Sequence, residues 1–248
     1  MKALILAAGY GTRLYPYTRN HPKPLLRVHK RLLIDYLLDK LAKLDGLSRI
    51  VVVTNARFFE KFKAWKDASP LNDKIRIVND GSTSPRNKLG AIVDMRLGIE
   101  KGGEDEDYLV LGGDNFLDES LGEFVAFAIN KRPAISIGVV DVGSKKKACH
   151  YGVVVLAGDK QVMDFQEKPK EPKSSLAATC LYYFPKVKLG LVKKCLASSL
   201  FCFDSIGNYI GWLSREDLVY GFIFKKMWFD VGRPEVYRNL NKILKQRG

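Results

Sequence analysis

Short apolar runs alternate with segments of helical period along the first half of this chain. No other feature constrains its fold as much. The runs are residues 4–8, 50–54, 75–78 and 108–111, each reading as a buried strand. Residues 34–44 carry Leu37, Leu38 and Leu41 on one helical face, and residues 89–99 read as a further helix. Strands alternating with helices close as right-handed crossovers and build a largely parallel sheet. The expected fold class is therefore α/β, Rossmann-like, with a central mixed, mostly parallel sheet. In such sheets ligands bind beyond the carboxyl ends of the strands.

The first run stops at Gly9-Tyr10-Gly11-Thr12-Arg13, and Pro22-Lys23 follows about ten residues later. A strand that breaks into a glycine turn leaves backbone N–H groups free to face phosphate oxygens. Arg13 and Lys23 add two cations to the same crevice, which is chemistry suited to a nucleoside triphosphate. The turn is neither G-x-G-x-x-G nor a P-loop. The run at 108–111 ends at Gly112-Gly113-Asp114, so strand topology brings Asp114 to the same cleft.

A chain of 248 residues with 46% hydrophobic and 27% charged residues suits a single α/β domain. Residues 1–130 would bind the nucleotide and 131–248 the acceptor, with no linker between them. Residues 134–140, 152–156 and 181–184 are β-like and extend the sheet, and 234–245 reads as a helix with Leu240 and Leu244 inward. Net charge is +14, but the basic residues are spread out and the one run, Lys145-Lys146-Lys147, reads as a loop. A solvated surface and a cleft for anionic substrates account for this better than nucleic acid does. No apolar run approaches a membrane span of about 18 residues. Met1-Lys2-Ala3 leads directly into a strand rather than a signal peptide, so a cytoplasmic protein is expected. Cys149, Cys180, Cys195 and Cys202 form no C-x-x-C pair and no zinc spacing with the three histidines, and read as buried small hydrophobes.

Asp114 is the first metal candidate, since Mg²⁺ takes one or two carboxylates and keeps several waters. Asp230, in Trp228-Phe229-Asp230-Val231-Gly232, is the second. Glu167-Lys168-Pro169 sets a carboxylate, an acceptor for hydroxyl donors, beside a point cation. The string G-x-G-T-R-L…P-K-P-L of residues 9–25 resembles the signature of the sugar-1-phosphate nucleotidyltransferases, the NDP-sugar pyrophosphorylases such as glucose-1-phosphate thymidylyltransferase. The W-x-D-x-G and E-K-P segments are similar to further motifs of that family, over nearly the whole chain.

The resemblance implies NTP and sugar 1-phosphate as substrates and Mg²⁺ as cofactor, with NDP-sugar and pyrophosphate as products. It implies that Arg13 holds the departing pyrophosphate, while Lys23 and Lys168 align the sugar phosphate and the α-phosphate. Leu6, Ala8, Gly9, Gly11, Thr12, Gly90 and Asp114 would bind the nucleotide. Gly152, Glu167, Lys168 and Thr179 would bind the sugar phosphate, and Asp114 and Asp230 the metal. Residues 82–90 correspond to the loop over the base, with Gly90 meeting it through its backbone. Three departures bear on substrate choice. Cys180 stands where glycine is usual, Arg233 stands where threonine is usual, and the base loop lacks the glutamine of several thymidylyl and uridylyl enzymes. A pyrimidine nucleotide and a glucose-type sugar are expected. Two alternatives stay open: a cytidylyltransferase for phosphocholine or inositol phosphate, and a non-catalytic NDP-sugar sensor. Assembly as a homo-oligomer is also left open. The sequence stops soon after the Asp230 motif with no left-handed β-helix, so a fused acetyltransferase is not expected.

Overall fold

The computed structural model describes residues 1–198 and 205–247. Its strands are β1 (Lys2–Leu6), β2 (Arg27–Val28), β3 (Arg31–Leu32), β4 (Arg49–Thr54), β5 (Ile75–Asn79), β6 (Tyr108–Gly112), β7 (Asn115–Leu117), β8 (Ile135–Asp141), β9 (Gly152–Leu156), β10 (Val162–Glu167), β11 (Leu176–Phe184), β12 (Val219–Phe224) and β13 (Trp228–Asp230). Its helices are α1 (Leu33–Leu41), α2 (Phe59–Asp67), α3 (Ala91–Gly102), α4 (Gly122–Asn130), α5 (Lys145–Ala148), α6 (Gly190–Ala197), α7 (Ile206–Glu216) and α8 (Pro234–Arg247).

One nine-stranded sheet runs β10-β9-β11-β6-β1-β4-β5, with β8 pairing β11 and β12. It is parallel from β6 through β1 and β4 to β5, and between β8 and β12. The long strand β11 runs antiparallel to β6, β8 and β9 and so ties the second half of the chain to the first. The expected α/β architecture with a central mixed sheet is what the chain adopts. Ala3 and Ile5 face a core shared with Ile34, Leu37 and Phe62 of α1 and α2. Leu4 faces the opposite core, with Ile92, Met95 and Ile99 of α3. Burial on both faces is why these strands are continuously apolar. A smaller cluster of Leu14, Val28, Phe116, Val231 and Leu240 fastens α8 beneath the loop after β1.

Several boundaries differ from expectation. The first strand ends at Leu6, not residue 8, because its pairing with β4 and β6 ends at Leu6↔Val53 and Leu6↔Gly112. The helix expected from residue 89 starts at Ala91, since Gly90 has φ 96°, outside helical space. Lys145-Lys146-Lys147 is not a loop but the start of α5, where the Ser144 hydroxyl accepts from the Lys147 N–H at 3.4 Å. Of the cysteines, Cys195 is buried as expected, Cys149 and Cys180 are half-buried, and Cys202 lies outside the described residues. No helix among the described residues is long and apolar enough to cross a membrane.

Candidate active site

Two loops leave neighbouring strand ends and meet over the sheet. After β1, Gly11 takes φ 64°, and a Cβ there would lie 2.9 Å from Lys23 Cγ. Glycine thus allows the turn and the packing of the Lys23 stem beneath it. The Gly11 carbonyl accepts from the Thr18 hydroxyl at 2.7 Å. After β6, Asp114 accepts from Lys23 Nζ at 2.8 Å through Oδ2. Asp114 Oδ1 accepts from Asn115 Nδ2 at 3.2 Å, and Trp228 Nε1 donates to Asn115 Oδ1 at 2.8 Å. Asn115 therefore fixes the rotamer of Asp114 from behind, a part the sequence reading did not give it.

Asp230 reaches this point through a two-stranded ribbon. The strands β7 and β13 pair antiparallel with Asp230 opposite Asn115, and the Val231 N–H donates to the Asp114 carbonyl at 2.9 Å. Two aspartates more than a hundred residues apart thus meet through backbone bonds. Burial pushes the Asp230 carboxyl up to about 6, and the Asp114 charge adds to the rise. Burial also acts upward on Asp114, but the charge and hydrogen bond of Lys23 outweigh it and hold that carboxyl below its ordinary range. Mutual repulsion between converging carboxylates is what a hard divalent cation relieves. Among the described residues there is no group of three or more His, Cys, Asp or Glu fit to hold a metal. Two carboxylate donors suit Mg²⁺, which keeps water and substrate oxygens in its shell.

Glu167 and Lys168 close the other side. In the β9–β10 hairpin Gly152 stands opposite Glu167, and the Lys168 N–H donates to the Tyr151 carbonyl at 3.0 Å. A Cβ on Gly152 would sit 2.4 Å from the Phe165 ring, so only glycine fits. Glu167 Oε1 accepts from the Ser205 hydroxyl at 3.1 Å, and Ser205 caps α7. A Cβ on Gly207 would lie 1.9 Å from Glu167 Oε2, so the carboxylate rests directly on the first turn of α7. The positive end of the helix favours that charge. Lys168 pairs with Glu167 at 3.0 Å, yet its side chain is 54% exposed. Such a pair contributes about 0–1 kcal/mol, so little holds Lys168 in it. Lys23, 13% exposed, is held far more firmly. Neither Ser205 nor Gly207 is singled out by the sequence; the signal that could have found them is a serine N-cap ahead of the helical period Ile206, Tyr209, Ile210 and Leu213.

One expected sugar contact is corrected. The Thr179 hydroxyl is buried and donates to the Gly138 carbonyl at 3.0 Å, so it faces β8 and not the cleft. The cause is an irregularity in β11, whose register to β8 shifts between Ala178 and Tyr182. Cys180 sits inside it with φ 53°, the left-handed region that favours glycine. That is the position at which the family resemblance leads one to expect a glycine.

One pocket over the sheet is lined by Leu6, Ala8, Gly9, Lys23, Gly90 and Asp94, and a second by Arg13, Gly152, Glu167, Lys168 and Asp230. Asp114, Cys180 and Ile206 line both, so the two pockets meet at Asp114. Gly11 and Thr12 line neither. Thr12 is exposed at the start of a single 3₁₀ turn over Thr12–Leu14. Their part is to shape the turn that presents Arg13.

A family model described as "Nucleotidyl transferase" matches residues 2–247. The Bifunctional protein GlmU of Methanocaldococcus jannaschii is 29% identical over 98% of this chain and 54% of its own length. The glucose-1-phosphate thymidylyltransferase of Neisseria meningitidis is 30% identical over 95% of this chain and 79% of its own. The chain spans about half the length of the GlmU relatives it matches. A Bacillus anthracis crystal structure, provisionally described as a glucose-1-phosphate thymidylyltransferase in complex with a sucrose, superposes with a TM-score of 0.82 at 23% identity. It covers 98% of this chain and 94% of the other. These likenesses extend over the whole sheet and both sides of the cleft, and the chain belongs to the sugar-1-phosphate nucleotidyltransferase family.

Proposed function

We propose that this cleft transfers a nucleotidyl group from an NTP to a sugar 1-phosphate, giving NDP-sugar and pyrophosphate. The observation that carries this reading is the junction at Asp114. There a fixed Lys23 cation, a second buried carboxylate at Asp230 and the two lined pockets converge.

A phosphate oxygen of the acceptor attacks the α-phosphorus in line. The bond to the bridging oxygen breaks and pyrophosphate leaves with its electron pair. No covalent enzyme intermediate is required, so positioning and charge stabilisation carry the rate. Lys23 sits at the junction and steadies the α-phosphate there. Lys168, swinging from Glu167, meets the acceptor phosphate, and Glu167 accepts from sugar hydroxyls. Arg13, on the rim of the acceptor side, neutralises the departing pyrophosphate. Asp114 and Asp230 would hold Mg²⁺, which offsets triphosphate charge when bound. The acceptor is a hexose 1-phosphate of glucose type and the nucleotide a pyrimidine, on the sequence expectation.

The test is product analysis by mass spectrometry after incubation with Mg²⁺, each common NTP, and a panel of sugar 1-phosphates with phosphocholine. An NDP-sugar from one preferred pair is the expected result. Product from phosphocholine alone would replace the sugar with the alternative acceptor. NDP-sugar binding without any product would favour a sensing role.

A further inference from the structure

Arg233 is a cation that the reaction described above leaves unused, and the fold delivers it to the acceptor end of the cleft. It stands three residues after Asp230, where the family resemblance leads one to expect threonine. The Val231 N–H donates to the Asp114 carbonyl at 2.9 Å, and the Arg233 carbonyl accepts from the Tyr237 N–H at 3.0 Å where α8 begins. Val231 is wholly buried in one cluster with Leu14, the residue after Arg13, and with Leu240 of α8. The backbone on both sides of Arg233 is thus held, and one apolar cluster seats both arginines beside the cleft.

A recess of about 60 Å³ opens between Arg13, His150, Tyr151, Lys168, Asp230 and Arg233. All of these but Arg233 also line the pocket that holds Glu167 and Gly152. Among the described residues the recess shares none with the pocket that holds Leu6, Gly9 and Gly90. It is an annex of the acceptor pocket. Three permanent cations, Arg13, Lys168 and Arg233, border it against one carboxylate, Asp230. Lys168 is held only by its surface pair with Glu167. Among the described residues neither guanidinium group has a hydrogen-bond or ion-pair partner. Like charges gathered without partners repel one another, and an anion placed among them relieves the repulsion. The open volume takes roughly four waters, which is room for the oxygens of one phosphate.

Resting on the nucleotidyl-transfer reading above, we propose that Arg233 grips the phosphate of the acceptor together with Lys168 and orients it for attack. A guanidinium presents a planar fork that meets two phosphate oxygens at once, where the Lys168 ammonium meets them as a point charge. The fork fixes how the phosphate is turned, and so aims its attacking oxygen at the α-phosphorus. Threonine at this position would supply one hydroxyl and no charge. The acceptor phosphate is chosen over the triphosphate because the recess continues the acceptor pocket and stands apart from the other.

The test is steady-state kinetics of the intact protein in both directions, with the sugar 1-phosphate that the wild type uses best and inorganic phosphate as a competing probe. Arg233→Thr, shown to be folded by circular dichroism, should raise KM for the sugar phosphate at least about tenfold and leave KM for NTP within about threefold. Inorganic phosphate should compete with the sugar phosphate in the wild type, and at least about tenfold more weakly in Arg233→Thr. Arg233→Lys keeps the charge but not the fork. Its KM for the sugar phosphate should fall between the two, and it carries the same comparison should Arg233→Thr not fold. An unchanged KM for the sugar phosphate, or equal rises for both substrates, would overturn the assignment while leaving nucleotidyl transfer intact. A rise confined to the KM for pyrophosphate in the reverse direction would move Arg233 to the leaving group and overturn it as well. Arg233→Lys equal to the wild type would overturn the fork. No product from the wild type with any NTP and acceptor would instead refute the transfer reading, and this inference with it.

Discussion

Lys23 Nζ lies 2.8 Å from Asp114 Oδ2, at the point where the two pockets of the cleft meet. The pair sets the two aspartates apart: Asp114 is kept ionised by a fixed cation, while Asp230 is pushed toward its neutral form. Asp114→Asn removes the charge without changing the shape. We predict that Mg²⁺-dependent pyrophosphate release falls by at least about a hundredfold while the circular dichroism spectrum is kept. Undiminished release would remove Asp114 from the metal site.

Glu167 is held by contact with the first turn of α7. We predict that Gly207→Ala, whose Cβ would meet Glu167 Oε2 at 1.9 Å, displaces the carboxylate without altering it. KM for the sugar phosphate should then rise at least about tenfold, as it should in Glu167→Gln, with KM for NTP changed far less. Equal effects on both substrates would place Glu167 outside the sugar site.

Arg13 is exposed on the cleft rim, presented by the 3₁₀ turn at Thr12–Leu14. Arg13→Ala should lower kcat by at least about tenfold, since its charge matters most as pyrophosphate departs. A wild-type kcat in steady-state assays would exclude it from the mechanism.

Asp94 gives a prediction in stability. Burial, with the Asp80 charge and hydrogen bond behind it, pushes its carboxyl from the ordinary 3.8 up to about 7. The folded state therefore holds this proton more tightly than the unfolded chain. Its stabilising contribution is complete below about pH 3.8 and is lost as the pH rises through about 7. Asp94→Asn removes that dependence. Its Tm relative to wild type should climb between pH 5 and pH 8 in scanning calorimetry, and a constant difference across that range would refute the raised proton affinity.

The parallel half of the sheet was legible because its strands are buried on both faces and read as unbroken apolar runs. Gly9 and Asp114 were placed from where those strands end, Lys23 from the Pro-Lys pair after the glycine turn, and Gly90 only through the family resemblance. The ribbon joining β7 to β13 was not legible as pairing. Three residues on each side carry too little pattern to announce a register, so only the motif around Trp228 and Asp230 drew them together. Thr179 was misplaced because one irregularity at Cys180 turns the side chains of β11 to other faces, and alternation cannot foresee such a shift. Asp94 looks in sequence like a polar residue on a solvated helix face. Its burial and its contact with Asp80 arise only when α3 packs beside β5.

The most direct measurement is pyrophosphate release by the wild-type protein, and by Asp230→Asn, in Mg²⁺ with NTP and sugar 1-phosphate present together or singly. Release is expected only when both substrates and Mg²⁺ are present, in equal amount to NDP-sugar formed, and is expected to be lost in Asp230→Asn. Release that needs no acceptor, or that proceeds unchanged in Asp230→Asn, would contradict this expectation.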